Sequence, residues 1–81
     1  MSKNTEQDVL STIETALEIP SGSVALDAIA DNVEGWDSIG HLSVLMALDK
    51  LFDGKVANIN EIAEAYSVPK ILEALRKHSL I

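Results

Sequence analysis

The stretch from Ser38 to Phe52 constrains the fold most, because its apolar residues recur with the spacing of one long helix. At about 100° per residue, one face carries Val44, Leu48, Leu51 and Phe52, with Leu45 at its edge. A second apolar face, nearly opposite, carries Ile39, Leu42 and Met46. Gly54 can supply the left-handed residue that ends such a helix. The pattern predicts a helix from 38 to 53 with one face in a core and a second face that needs an explanation.

The remaining apolar patterns predict three more helices. A helix from 5 to 18 is indicated by Val9, Leu10, Ile13, Ala16 and Leu17. Thr5 and Asp8 can cap its start, and Pro20 limits its end. A short helix from 59 to 66, begun by Asn58 or Asn60, is indicated by Ile59, Ile62, Ala63 and Tyr66.

The last predicted helix covers residues 68 to 78. Ser67 caps it and Pro69 lies in its first turn, where a missing N–H costs little. We expect Val68, Ile71, Leu72 and Leu75 to face the core. The basic residues Arg76, Lys77 and His78 end the helix, as the helix dipole favours.

Residues 20 to 37 have turn-forming residues at both ends and form a long loop in this interpretation. Four apolar residues within it are expected to anchor it to the core: Val24, Leu26, Ile29 and Val33. Loops longer than about 12 to 15 residues are uncommon in compact domains and are often functional. The loop is therefore a candidate part of a functional site.

Composition agrees with a single all-α domain, a small four-helix bundle that we expect to be monomeric. The chain has 81 residues, only three of them aromatic, and apolar residues that suit packed helices. It has no Cys, so neither a disulfide nor a thiolate zinc site is available, and we expect no metal ligands. The polar start and the absence of a run of about 20 apolar residues predict a cytoplasmic protein without a membrane span.

The net charge of −7 is distributed unevenly along the chain. Residues 1 to 37 hold eight acidic residues against Lys3 alone, whereas residues 38 to 81 hold five acidic and five basic residues. The electrostatic field of this negative charge disfavours binding to nucleic acid and to anionic membranes. It favours basic protein partners, or it serves solubility alone, and the sequence leaves both open.

Asp37 and Ser38 stand where the long loop meets the start of the strongest helix. The backbone N–H groups of a first helical turn have no helical partners, so an anion attached to Ser38 would meet donors there. The simpler alternative is that Asp37 or Ser38 only caps the helix, as these residue types often do.

The run Trp36-Asp37-Ser38-Ile39-Gly40-His41-Leu42, continuing from Met46 to Phe52, resembles the second-helix region of acyl carrier proteins. The Asp-Ser-Leu motif of that family is met here as Asp37-Ser38-Ile39. The order of helices also resembles the family over essentially the whole chain.

The resemblance implies that Ser38 is the attachment residue for a 4'-phosphopantetheine arm, which a phosphopantetheinyl transferase moves from coenzyme A. It implies that Asp37 assists this Mg²⁺-dependent transfer. The arm would supply the thiol that this chain lacks. Acyl or aminoacyl groups would be bound to that thiol as thioesters and carried among acyl-loading, acyl-transfer and synthase enzymes. The chain would then be a carrier and not itself an enzyme.

The resemblance also implies that partner enzymes contact the helix that Ser38 begins, through Ile39, Leu42, Met46 and Asp49. The alternative for the apolar residues is extra core against the long loop. The chain departs from fatty-acid carriers, whose recognition helix is strongly acidic, since Ser43 and Lys50 stand where acids are usual. We therefore expect a dedicated pathway, such as polyketide, secondary-metabolite or specialised lipid synthesis.

The residues before Ser38, Trp36 and Asp37, differ from the Gly-rich run that precedes the serine of peptidyl carriers. This difference favours acyl over aminoacyl cargo. A carrier-like interaction module without the arm is the alternative function.

His41 lies one turn from Ser38 and suggests a nucleophile and base pair. We set that interpretation aside because 81 residues offer little material for an oxyanion hole and a walled pocket. Two expectations remain: His41 lines the gap toward the third helix, where it contacts the arm or cargo, or it is exposed.

Overall fold

The predicted all-α fold forms, and the computed structural model, which describes residues 4–81, defines its helices. Their bounds are α1 Glu6–Leu17, α2 Ser38–Leu51, α3 Asn60–Ala63 and α4 Val68–Lys77. A 3₁₀ turn covers Ala30–Asn32 within the long loop between α1 and α2. Apart from one isolated β-bridge between Ile29 and Ser67, the described residues hold no β-structure. The molecule is a small helical bundle with a long first loop and a short third helix.

Three helix ends form as their residues predict. The Thr5 side chain accepts from the Asp8 N–H while the Asp8 carboxylate accepts from the Thr5 N–H, a reciprocal cap of α1. Asp53 and Gly54 both take left-handed φ after α2, at 55° and 82°. The Ser67 hydroxyl accepts from the Lys70 N–H at the start of α4.

α3 begins at Asn60, one of the two starts expected, but the prediction was wrong about its cap and its end. The helix spans four residues instead of the eight expected, and Ile59, not Asn58 or Asn60, stands at its N-cap without a side-chain hydrogen bond. Ile59 and Ile62 are buried as expected, but Ala63 and Tyr66 are exposed. A four-residue helix has too few internal hydrogen bonds to hold itself, so tertiary contacts decide where it ends.

The core lies where α1 packs along α2 and where α3 and α4 close over them. Its fully buried residues come from the predicted faces, namely Val9, Ile13, Val44, Leu48, Ile62, Val68, Ile71 and Leu75. Phe52 and Leu72 also belong to it, whereas Leu45 and Leu51 are half-buried. The helical periodicity therefore located the helical faces of the core. Further buried members lie outside the predicted faces, among them Ala30, Trp36, Val56, Ala65 and Ala74.

The long loop is anchored by residues that differ partly from those predicted. Val24 is buried and Val33 half-buried, but Leu26 and Ile29 are 52% and 43% exposed, so their assignment as anchors was wrong. For Ile29 the reason is its extended backbone, which bonds from the Ala30 N–H to the Tyr66 carbonyl and from the Val68 N–H to the Ala28 carbonyl hold in place. Neighbouring side chains of an extended segment point to opposite sides, so Ile29 faces outward while Ala30 is buried. Leu26 lies in a turn before this segment.

Glu14 is a buried anchor of the loop that the sequence patterns did not indicate. Only 4% of the residue is exposed, and its Oε2 accepts from the N–H groups of Gly22 and Val24, at 2.8 and 3.0 Å. The carboxylate thus fastens the start of the loop to α1. Nothing in the helical pattern of α1 marks an acidic residue for this role.

No helix within residues 4–81 is long and apolar enough to cross a membrane. Met1 to Lys3, which belong to the polar start on which the expected cytoplasmic location was partly based, lie outside the described residues.

Candidate functional site

Ser38 is the first residue of α2, and its side chain is free of the capping task. Asp37 is the N-cap, and its Oδ1 accepts from the Gly40 N–H at 2.8 Å. Both residues are exposed, and within residues 4–81 no hydrogen bond involves the Ser38 hydroxyl. Of the two capping alternatives, the cap falls to Asp37, which leaves the Ser38 hydroxyl available for chemistry.

The backbone around Ser38 retains two donors that an anion could use. The Gly40 N–H is taken by Asp37 Oδ1, and the His41 N–H donates to the Asp37 carbonyl at 2.7 Å. In the described part of the chain, the N–H groups of Ser38 and Ile39 have no acceptor. A phosphodiester on the Ser38 oxygen would lie beside these donors, at the positive end of the helix dipole.

The turn at Gly35, which precedes Ser38, packs closely against the first turn of α2. Gly35 has a φ of 83°, which favours glycine, and its carbonyl oxygen lies so close to Gly40 that a Cβ at position 40 would collide with it. Glycine at position 40 therefore allows the turn to pack on the first turn of the helix. The collision partner is backbone, which cannot rotate away.

A polar cleft of about 310 Å³ lies beside Ser38. Its walls are Ile29, Ala30, Asp31, Trp36, Asp37 and Tyr66. The loop and the segment before α4 meet here, because the Ala30 N–H donates to the Tyr66 carbonyl at 2.9 Å. The sequence patterns do not predict this juxtaposition, because helical spacing places Tyr66 on a face of the third helix and the motif marks Trp36 only as a neighbour of Ser38.

His41 is buried, so the expectation of an exposed side chain was wrong. Only 2% of the residue is exposed, and its Nε2 lies 3.0 Å from the carbonyl oxygen of Ile62 in α3. The indole Nε1–H of Trp36 donates to its Nδ1 at 2.9 Å. His41 therefore faces the third helix, as the other expectation held, and a contact with an arm or cargo stays a prediction. With both ring nitrogens engaged elsewhere, His41 is not placed to act as a base on Ser38.

The second apolar face of α2 is exposed, so the alternative that it forms extra core was wrong. Ile39, Leu42 and Met46 are 78%, 59% and 68% exposed. We call these three residues the ridge. Asp49, predicted to share its role, is half-buried, and its carboxylate accepts from the Ala57 N–H at 2.8 Å. Its part in partner binding stays a prediction.

An apolar groove runs between α2 and the α3 region, beginning at Met46 of the ridge. It has a volume of about 200 Å³ and is lined by Leu45, Met46, Asp49, Val56, Ala57, Ile59, Asn60 and Ala63. The groove is smaller than the roughly 300 to 1,000 Å³ typical of sites that enclose a drug-sized ligand. Its lining suits a small apolar group.

A scan against models of known protein families found no match to this chain, and searches of the curated proteins and of the solved structures also found none. The motif around Ser38 and the geometry of the residues beside it are therefore the guides to function.

Proposed function

We propose that this chain is a carrier protein that holds acyl, or aminoacyl, thioesters on a 4'-phosphopantetheine arm attached to Ser38. The observation that carries the proposal is the division of tasks at the start of α2. Asp37 caps the helix, and the adjacent Ser38 hydroxyl is exposed in a motif that resembles the attachment site of acyl carrier proteins. A serine kept only for capping would have its oxygen bonded to the backbone.

The residues present fit a phosphopantetheine group. The Ser38 oxygen can form the phosphodiester, and the N–H groups of Ser38 and Ile39 can donate to its oxygens. The arm supplies a terminal thiol for thioester chemistry, which the chain cannot provide because it has no Cys. Asp37 is the residue next to Ser38 and uses its Oδ1 for the cap, and we assign its carboxylate a role in the transferase's Mg²⁺-dependent step.

The ridge is the surface we assign to partner enzymes. Three large apolar side chains that stay exposed on one helix are costly in water and are typical of interaction sites. Because α2 carries few acids, recognition by partners depends more on apolar contact than in strongly acidic carriers. This supports a dedicated pathway, such as polyketide, secondary-metabolite or specialised lipid synthesis, and partners that include a phosphopantetheinyl transferase and acyl-loading, acyl-transfer or synthase enzymes.

The attachment is tested by incubating the purified protein with coenzyme A, Mg²⁺ and a broad-specificity phosphopantetheinyl transferase. We expect mass spectrometry to show the addition of one phosphopantetheine, and Ser38→Ala to abolish it. Ser43→Ala is the matched control, because Ser43 lies on the same helix and its loss should leave the addition intact. An unmodified wild type, or modification that survives in Ser38→Ala, contradicts the proposal.

The exposure of the ridge also favours a second candidate, an interaction module of the same fold that never receives the arm. Binding through Ile39, Leu42 and Met46 does not require the Ser38 hydroxyl. This candidate predicts that Ser38→Ala leaves partner binding and biological activity unchanged, whereas Leu42→Ser reduces both. A carrier loses its activity with either substitution.

A further inference from the structure

His41 connects three parts of the chain through a buried chain of polar contacts. Its Nδ1 accepts from the Trp36 indole, and its Nε2 faces the Ile62 carbonyl oxygen. The ring also stacks on Tyr66, with centroids 4.2 Å apart. The turn before Ser38, the first turn of α2, and α3 with its following segment therefore meet at one imidazole.

The partners of this ring allow a single protonation state. An indole N–H can only donate and a carbonyl oxygen can only accept. Nδ1 must therefore be unprotonated and Nε2 must carry the hydrogen. In the other neutral tautomer, two N–H groups would face each other at the Trp36 contact and two acceptors would face each other at the Ile62 contact. Both mismatches would be buried, where unpaired polar groups are costly.

Of the elements that His41 connects, α3 is too short to be held by its own hydrogen bonds. α3 has four residues and no side-chain cap, so its place depends on packing and on the contact at Ile62. Trp36 and Tyr66, which both contact the imidazole, are also walls of the cleft beside Ser38. His41 lies behind these walls, out of reach of solvent.

We infer that His41 is a positioning residue, which as the neutral Nε2-protonated tautomer holds the Trp36 and Tyr66 walls of the Ser38 cleft and ties them to α3. The importance of the cleft rests on the proposed function of Ser38, but the tautomer and the contacts do not. His41 acts through Trp36, Tyr66 and Ile62 and does not touch the serine hydroxyl.

The first test is the ¹⁵N NMR spectrum of the His41 ring, assigned separately from that of His78, in the unmodified wild-type protein at neutral pH. We expect Nδ1 to resonate as an unprotonated, hydrogen-bonded nitrogen and Nε2 as a protonated one. Trp36→Phe removes the indole donor and keeps an aromatic ring, so it should shift the Nδ1 signal. A protonated Nδ1, or an Nδ1 signal indifferent to Trp36→Phe, overturns the inference.

The second test compares amide hydrogen exchange in α3 and in α1. His41→Leu leaves the indole N–H and the Ile62 carbonyl without their His41 partner, so we expect exchange of the Ile62 N–H, which donates to the Ile59 carbonyl, to accelerate about tenfold or more relative to α1. His41→Gln keeps an acceptor and a donor and should recover part of the protection. Val44→Ala is the matched control, because this buried residue of the same helix should weaken α1 and α3 together.

Equal acceleration in α1 and α3 by His41→Leu, with no recovery in His41→Gln, would identify His41 as ordinary core and overturn the inference. If His41→Leu does not fold, the ¹⁵N spectra of the wild type and of Trp36→Phe still decide. All of these measurements use the protein without the arm. If phosphopantetheine cannot be added to the wild type, the proposed function is wrong, but the result on His41 is unaffected.

Discussion

At the scale of single residues, the start of α2 separates two tasks that the pair Asp37-Ser38 could share. Asp37 fills the N-cap because its carboxylate reaches the Gly40 N–H, three residues along. Ser38, one position later, already has its backbone in the helix, and its hydroxyl remains exposed. The position of each residue relative to the first turn therefore decides which side chain caps the helix and which keeps an exposed hydroxyl.

Substitutions of Asp37 separate the cap from the charge. We expect Asp37→Ala to lower the free energy of unfolding by about 1 kcal/mol, because the Gly40 N–H loses its acceptor, and Asp37→Asn to retain most of the stability, because Asn caps well. Urea unfolding measures both. If the charge assists phosphopantetheine transfer, Asp37→Asn will slow the transfer while remaining stable. Equal destabilisation by the two substitutions would contradict the capping role.

At the scale of helices, α3 shows how a short element is held by its neighbours. Ile62 anchors it in the core, and Glu61 faces α4, where its two carboxylate oxygens bind Lys77 Nζ at 2.8 Å and His78 Nε2 at 2.9 Å. Lys77, and after it His78, lowers the pKa of the Glu61 carboxyl below its ordinary value of 4.5. The same hydrogen bond raises the pKa of Lys77 above 10.5.

These shifts set the pH range in which Glu61 stabilises the fold. A carboxyl whose folded pKa is lowered adds stability above 4.5, and this is lost as the pH falls through the folded value. Lys77, with a raised pKa, adds stability below 10.5 that is lost as the pH rises through its folded value. We expect Glu61→Gln to have a lower urea midpoint than wild type at neutral pH, and the two to converge in acid.

The effect of Glu61→Gln should be small and should shrink in high salt, because the carboxylate and both of its partners are exposed. Glu64→Gln is the control, since Glu64 is exposed and forms no ion pair within residues 4–81. A difference between wild type and Glu61→Gln that persists unchanged in acid would contradict this account.

At the scale of the whole molecule, α2 is both the centre of the core and a large part of the surface. α1 packs along it and α3 contacts it, which buries the face that carries Val44 and Leu48. No element in residues 4–81 covers the ridge. The helix that packs into the core therefore also carries Ser38 and an exposed apolar surface.

Two leucines on this helix provide a matched comparison. We expect Leu48→Ala, at a fully buried site, to lower the free energy of unfolding by about 2 to 5 kcal/mol through lost packing and a cavity. Leu42→Ala, at a site 59% exposed, should change it by no more than about 0.5 kcal/mol. Urea unfolding of both variants measures this. A large loss in Leu42→Ala would show that the ridge contributes to the fold.

The sequence by itself determined α1, α2 and α4 with their core faces, the presence of a short third helix, and the caps at Thr5 and Ser67, because these depend on helical spacing and on side chains within one turn. Tertiary structure decided the rest. The length of α3, the outward direction of Ile29, the buried Glu14 and the burial of His41 depend on partners outside their own helical turn. For Ser38, the sequence located the residue at the start of a helix, and only the folded geometry assigned the cap to Asp37, because hydrogen-bond reach depends on where the first turn begins.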